Sequence, residues 1–228
     1  MEVFFQQLVN GLSLGGIYAL IALGYTMVYG IIELINFAHG DVYTLGTFFT
    51  LAVLTALGVS GELHGLPLIG VILLAVIVSM LLCGIVGVLI ERLAYRRLRN
   101  APRLAPLITA IGVSILLQTL AMMIWSRNPL PFPQLLPTDP INVIKATDTT
   151  PGAVISMTEI VIIVVAFLVM GGLLLLVHKT KLGRAMRAIA ENPGVASLMG
   201  VNPNFVISAT FMIGSALAAL AGVIRSLR

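Results

Sequence analysis

The chain has 228 residues, of which 59% are hydrophobic and only 10% charged, and its formal net charge is +4. So little charge cannot cover a soluble domain of this length, and several apolar runs reach the ~20 residues that cross a hydrocarbon core of about 30 Å. An ordinary soluble protein is excluded. Lipid admits only helices or closed barrels, and these runs are too long and too continuously apolar for barrel strands, so the expected class is an all-α, polytopic helix bundle.

Runs and breakers place helices near residues 8–30, 42–58, 66–90, 104–125, 157–177 and 205–224, about six spans in a single domain over residues 1–228. The first span lacks the basic n-region of a secretory signal. It carries Gly11 and Gly15 at GxxxG spacing, a pattern that lets helices approach closely in lipid. After it comes "GIIELINFAHGDVYTLG", residues 30–46, which sets Glu33, Asn36, His39 and Asp41 within nine residues between two apolar runs.

Two readings of residues 31–41 stand side by side. In one, they are a cytoplasmic turn, with Gly40 breaking the preceding helix and Asp41 capping a helix that begins at Val42. In the other, they are a discontinuous helix lining a solvated path, since irregular backbone at membrane depth is tolerated only there. Ile31, Ile32, Leu34, Ile35 and Phe37 keep the stretch apolar, which is unusual for a turn meant for water.

Further along, the lone Cys83 lies inside an apolar run and is expected to be a small core residue. Residues 1–91 contain no Lys or Arg, whereas Arg92, Arg96, Arg97, Arg99 and Arg103 crowd one loop and Lys179, Lys181, Arg184 and Arg187 another. A pI near 9.6 therefore reflects the positive-inside rule rather than nucleic-acid binding. Both loops are expected in the cytoplasm. Residues 31–41 then share that side, while the N-terminus, residues 59–65 and the segment 126–156 lie outside. "SRNPLPFPQLLPTDP" in that last segment is dense in proline and reads as a loop packed over the spans; the alternative is a docking surface for an external partner.

The second basic loop, 178–204, reads "HKTKLGRAMRAIAENPGVASLMGVNPN". Arg184, Arg187 and Glu191 fall at i, i+3 and i+7, with Arg187 and Glu191 able to pair along one face. Met186, Ile189 and Ala190 form an apolar patch opposite. Pro193–Gly194 stops this helix, a short "VASLMG" element follows, and Asn202–Pro203 caps the next span; the loop reads either as a shaped, partly apolar surface or as an amphipathic loop lying on lipid headgroups. That span carries Gly214, Ala218 and Gly222 as a second small-residue ridge.

The sequence holds no G-x-x-x-x-G-K-[ST] phosphate loop, so no ATP hydrolysis is expected on this chain. Three widely separated histidines and one cysteine supply no nucleophile or metal constellation, so an intramembrane enzyme ranks last. An autonomous proton-coupled carrier remains a rival, with Asp41, Glu33 and His39 as its relay.

"NGLSLGGIYALIALGYTMVYGIIELINFAHGDVYTLG" closely resembles the N-terminus of bacterial branched-chain amino-acid ABC transporter permeases of the high-affinity leucine/isoleucine/valine type, whose relatives also carry urea or short amides. The resemblance continues through "IERLAYRRLR", "LITAIGVSILLQ" and "GRAMRAIAENPGVASLMGVN" and covers essentially the whole chain. It implies a permease subunit in the bacterial inner membrane with no cofactor of its own. A second related permease, two cytoplasmic ATP-binding subunits that hold the ATP, and a periplasmic amino-acid-binding protein are its implied partners.

In that family's pattern, Asn36, Phe37, His39, Gly40 and Asp41 match a broken-helix motif beside the translocation path. Asp41 is then a candidate for a substrate ammonium, and His39 or a backbone amide for a carboxylate. Residues 184–201 match the coupling segment that seats in the ATPase, with Gly183, Arg184, Arg187, Ala188, Glu191, Ala196 and Gly200 as its residues. Two departures stand out. Glu33 replaces a small or apolar residue, and the family's further spans and glycine-rich segment beyond "ALAALAGVI" are missing, so a truncated end is expected at "RSLR".

Overall fold

The structure, a computed structural model, describes residues 2–59, 66–99, 101–102, 104–128, 130–133, 135, 141–144 and 153–226. Arg103, Arg228 and most of the expected external loop at 59–65 lie outside the described residues. The described residues form eight α-helices: α1 (Glu2–Ile32), α2 (His39–Ala56), α3 (Leu66–Ile90), α4 (Leu104–Ile124), α5 (Met157–Lys179), α6 (Lys181–Glu191), α7 (Pro193–Leu198) and α8 (Pro203–Ser226). A two-stranded antiparallel ribbon, β1 (Ile141–Ile144) with β2 (Ala153–Ile155), pairs Ile141 with Ile155. Helix α3 runs on through a π-helical turn at Glu91–Tyr95 and a 3₁₀ turn at Arg96–Leu98.

The expected spans therefore appear at nearly the expected places. Five helices (α1, α3 with its extension, α4, α5 and α8) are long and apolar enough to cross a membrane. Helix α2 falls short of that, because its 18 residues open on His39, Gly40 and Asp41.

Helix α8 is the hub. Phe211, Ala218, Ala219, Ala221 and Val223 on it are buried, and it packs against α1, α2 and α3. Small residues make this crowding feasible, because helices in lipid gain by close van der Waals approach rather than by a hydrophobic drive. A Cβ added to Gly46 of α2 would stand 2.5 Å from the Ala219 Cα, and one on Gly24 of α1 would stand 2.8 Å from the Gly214 carbonyl oxygen. Gly87 of α3 faces Ser215 and Phe211 as tightly, and Gly222 abuts the Tyr43 carbonyl. The ridge Gly214–Ala218–Gly222 thus packs as expected. The Gly11/Gly15 pair makes no such close packing among the described residues: a Cβ on either would meet no atom within 4 Å, and the neighbouring Gly16 takes the contact to Ala166 of α5.

Side-chain contacts sort the connections to two ends of the bundle. At one end Gln6, near the start of α1, accepts from the Val154 amide of β2 at 2.8 Å. There too Phe132 and Leu135 pack with Leu54 and Leu68, so these parts of the proline-rich segment lie over the spans. Residues 136–140 and 145–152 of that segment lie outside the described residues. At the other end gather residues 31–36, the turn after α3, helices α6 and α7, and the start of α8. This alternation matches the expected topology.

Candidate functional site

Helix α2 starts inside the bundle rather than at its edge. The His39 Nε2 lies 3.2 Å from the carbonyl oxygen of Ile21, which sits eleven residues, about 16 Å at 1.5 Å per residue, before the end of α1 at Ile32. The same His39 ring would touch a Cβ on Gly24, whose other neighbour is Gly214, eleven residues into α8. After α1 ends, the irregular residues 33–36 run back along the bundle, and a turn at 37–38, closed by the His39 amide on the Asn36 carbonyl at 3.1 Å, opens α2. Glu33 makes the reversal possible by taking φ 51°, a left-handed conformation uncommon outside glycine. Its side chain is exposed, and its amide still bonds the Tyr29 carbonyl at 2.8 Å.

The broken-helix residues then point different ways. Asn36 is buried, and its Oδ1 accepts from the Tyr95 hydroxyl at 3.2 Å, with the Ile35 carbonyl 3.4 Å from the same hydroxyl. Phe37 and Gly40 are exposed. His39, only 2% exposed, stands edge-on to Tyr25 with ring centroids 5.9 Å apart. Asp41 faces the opposite neighbour: its Oδ1 accepts from Gln118 Nε2 of α4 at 2.9 Å, while its Oδ2 is buried without a partner among the described residues.

Asp41 is not the N-cap that its position before Val42 implied. The helix begins three residues earlier, at His39, Ala38 holds the cap position in a helical conformation without a side-chain bond, and Asp41 sits in the first turn. Its carboxyl group is committed to α4 instead. Gln118 was not singled out from the sequence; the available signal was an amide alone in the apolar run "GVSILLQTLAMMI".

The loop between α5 and α8 is locally determined. Thr180 caps α6 by accepting from the Gly183 amide at 3.0 Å, and Asn192 caps α7 by accepting from the Val195 amide at 3.0 Å, with Pro193 at the first helical position. Gly183 has no room for a side chain, since a Cβ would overlap the Leu176 and Val177 carbonyls at the end of α5. Gly200 takes φ +83° after α7, the usual glycine stop.

Arg187 donates to the Val177 carbonyl, one of the unsatisfied acceptors at the end of α5, rather than pairing with Glu191 as its spacing had implied. Ala196 is buried, whereas Arg184, Ala188 and Glu191 are exposed. The most exposed apolar side chains of the loop are Leu198 and Met199, at 87% and 80%, with Val195 beside them. Of the apolar patch expected on α6, Met186 and Ile189 are buried and Ala190 is exposed.

Arg96 and Arg99 of the first basic loop converge on Glu91, which the sequence does not single out. Glu91 is fully buried and accepts from Arg96 at 2.9 and 3.2 Å, from Arg99, and from the Ser208 hydroxyl at 2.7 Å. Arg96 also reaches Ser208 at 2.8 Å, and Arg99 reaches Asn204 at 2.7 Å. The cluster ties the end of α3 to the first turns of α8, directly after the α6–α7 loop. In the sequence it is a Glu closing an apolar run with Arg at i+5 and i+8, which looks like an ordinary juxtamembrane charge cluster. A cavity of about 300 Å³ separates it from the loop, lined by Ile31, Leu34, Tyr95, Arg99, Ile189 and Pro193.

A helix bundle with a mid-depth break, a polar seam and an amphipathic, capped loop at one end defines a multi-pass membrane protein of the permease class. The chain belongs to the family described as the permease component of the branched-chain amino acid transport system, whose model matches residues 7–228. It is 48% identical, over 97% of its own length and 70% of the relative's, to the high-affinity branched-chain amino acid transport system permease protein BraD of Pseudomonas aeruginosa. Identity to LivH of Escherichia coli, similarly named, is 42% over the same shares. A probable branched-chain amino acid transport permease protein of Methanocaldococcus jannaschii is 28% identical over 89% of this chain. No solved structure gives a significant match. The family is one of transport components and not of enzymes.

Proposed function

We propose that the chain is the membrane-spanning subunit of an ATP-driven importer of branched-chain amino acids. In this reading it works with a second permease, two cytoplasmic ATP-binding subunits that carry the ATP, and a periplasmic binding protein. It lies in the bacterial inner membrane with its N-terminus outside, and the end bearing α6 and α7 faces the cytoplasm. That orientation follows from the basic residues gathered at that end.

The observation that carries the reading is the membrane-embedded start of α2. Irregular backbone and an acidic side chain at mid-depth are costly and are sustained where a bundle opens to a polar solute. Asn36, Phe37, Gly40 and Asp41 form the wall of that path, and His39, bound to α1, holds the first turn of α2 in place. A proton relay through Glu33, His39 and Asp41 is not favoured, because His39 turns towards α1 and Asp41 towards α4.

The coupling segment converts nucleotide-driven closure of the ATPases into tilting of α5 and α8. Gly183 and Ala196 allow its close packing, Arg187 ties it to α5, and Arg184, Ala188, Glu191 and Gly200 face outward with Leu198 and Met199.

The test is ATP-driven uptake of labelled leucine in vesicles containing the complete transporter. Leu198→Asp with Met199→Asp is expected to abolish both uptake and co-purification of the ATPase while the permease still assembles. Uptake that survives ATP depletion and collapses with the proton gradient overturns the importer reading.

A further inference from the structure

We propose that the seam between α2 and α4, formed by Asp41, Ser114 and Gln118, is a recognition site for a primary ammonium group; this rests on the importer reading and names what the path would hold at mid-depth. Gln118 lies fourteen residues, about 21 Å, into α4, level with the start of α2. Its Nε2 spends both hydrogens, one on Asp41 Oδ1 at 2.9 Å and one on the Ser114 hydroxyl oxygen at 3.2 Å. The amide oxygen of Gln118 then receives no donor among the described residues, and neither does Asp41 Oδ2, which is sealed beneath the seam. The site offers two acceptors that no donor among the described residues fills, and the one donor within the seam, the Ser114 hydroxyl, carries no charge.

Among the described residues no Lys or Arg pairs with Asp41, and Arg225, the basic residue of α8, lies eleven residues beyond Gly214, the level at which α2 begins. Residues 1–91 contain no Lys or Arg, nor does α4, and the two ion pairs among the described residues both belong to Glu91. An acidic side chain retained at mid-depth without a cation is expensive, so the partner must come from outside. A primary ammonium, with three N–H donors and a positive charge, matches a carboxylate oxygen beside an amide oxygen. It is also the charge that every free α-amino acid carries. Helix α4 meets the core through the narrow stripe Ala110, Val113, Leu117 and Ala121, through Asp41, and through Trp125 just past its end, stacked at 5.1 Å on Phe48 and edge-on to Phe49. Separating this seam exposes Asp41 Oδ2. Gln118 then acts as the group that covers the carboxylate when no ammonium is present.

The experiment uses the complete transporter in membrane vesicles on a Cys83→Ser background, with Thr44→Cys as reporter. Thr44 is exposed one turn above Asp41. Its labelling is measured with a cationic ethylammonium and an anionic ethylsulfonate methanethiosulfonate, each normalised to a free thiol. The expected result is about tenfold preference for the cationic reagent, in line with a unit charge at close range, falling to within about twofold in Asp41→Asn. Leucine is expected to slow the labelling, whereas 4-methylpentanoate, its deaminated counterpart, and sodium chloride are not.

Equal rates for the two reagents, protection by the deaminated acid, or labelling only by lipid-soluble N-ethylmaleimide each overturn the site; the last would mean that the seam faces lipid or a second permease. Leucine uptake by the same vesicles reports separately on the importer reading. Uptake with unselective labelling defeats the ammonium site alone. Selective labelling without uptake upholds an ammonium site and defeats the importer.

Discussion

The cluster around Glu91 gives the sharpest quantitative expectation. Replacing Glu91 with Gln keeps the shape and one acceptor but removes the charge that two guanidinium groups and the Ser208 hydroxyl converge on. Breaking a buried ion pair on one side typically costs about 3–5 kcal/mol. Here the full figure does not apply, because the Arg96 and Arg99 side chains are 34% and 25% exposed and regain water once released. The loss should be about 2–3 kcal/mol. Ser208→Ala removes a hydroxyl bonded to charged groups on both sides and should cost about 1.5 kcal/mol. Because Ser208 bridges Glu91 and Arg96, the double variant should be less destabilised than the sum, by about 1 kcal/mol. The assay is equilibrium unfolding in mixed micelles titrated with dodecyl sulfate, followed by helical circular dichroism and by fluorescence of Trp125, the single tryptophan. A loss under about 0.5 kcal/mol for Glu91→Gln, or strict additivity with Ser208→Ala, would refute the claim that this network fastens α3 to α8.

Two further expectations use the same unfolding assay or a close companion. Gly46→Ala should destabilise by about 1–3 kcal/mol, since its Cβ would stand 2.5 Å from the Ala219 Cα and overpacking outweighs the gain in helix propensity. Gly112→Ala meets nothing within 4 Å and should be neutral or stabilising by up to ~1 kcal/mol; equal effects at the two positions would contradict the packing. Tyr95→Phe leaves the Asn36 Oδ1 without its donor and should cost about 1–2 kcal/mol. It should also raise amide hydrogen exchange in residues 33–38 selectively, and unchanged exchange there would show that Tyr95 does not hold the re-entrant segment.

By itself the sequence determined what depends on local composition and on the solvent. Six long apolar helices, their boundaries within three residues apart from the start of the first, and the cap at Asn202 follow from apolar run length, capping chemistry and the glycine and proline breaks, all of which act over a few residues. The all-α class follows as directly, because lipid leaves the backbone no other partner. The motif "NFAHGD" marked the place where the bundle is interrupted, but its physics left a turn and a broken helix equally open. Only the tertiary structure separated them, since the depth of His39 is fixed by which carbonyl of α1 it meets, a contact eighteen residues away in sequence. The same holds for Asp41, which would cap its helix in isolation but meets Gln118 seventy-seven residues on. It holds as well for Glu91, whose charge becomes a fastening only when α8 brings Ser208 beside it, 117 residues away. Polar groups in a membrane protein find their partners across the bundle because the lipid offers none. Their identity is therefore written in the chain, and their pairing is decided by the packing of the small-residue ridges that bring the helices together.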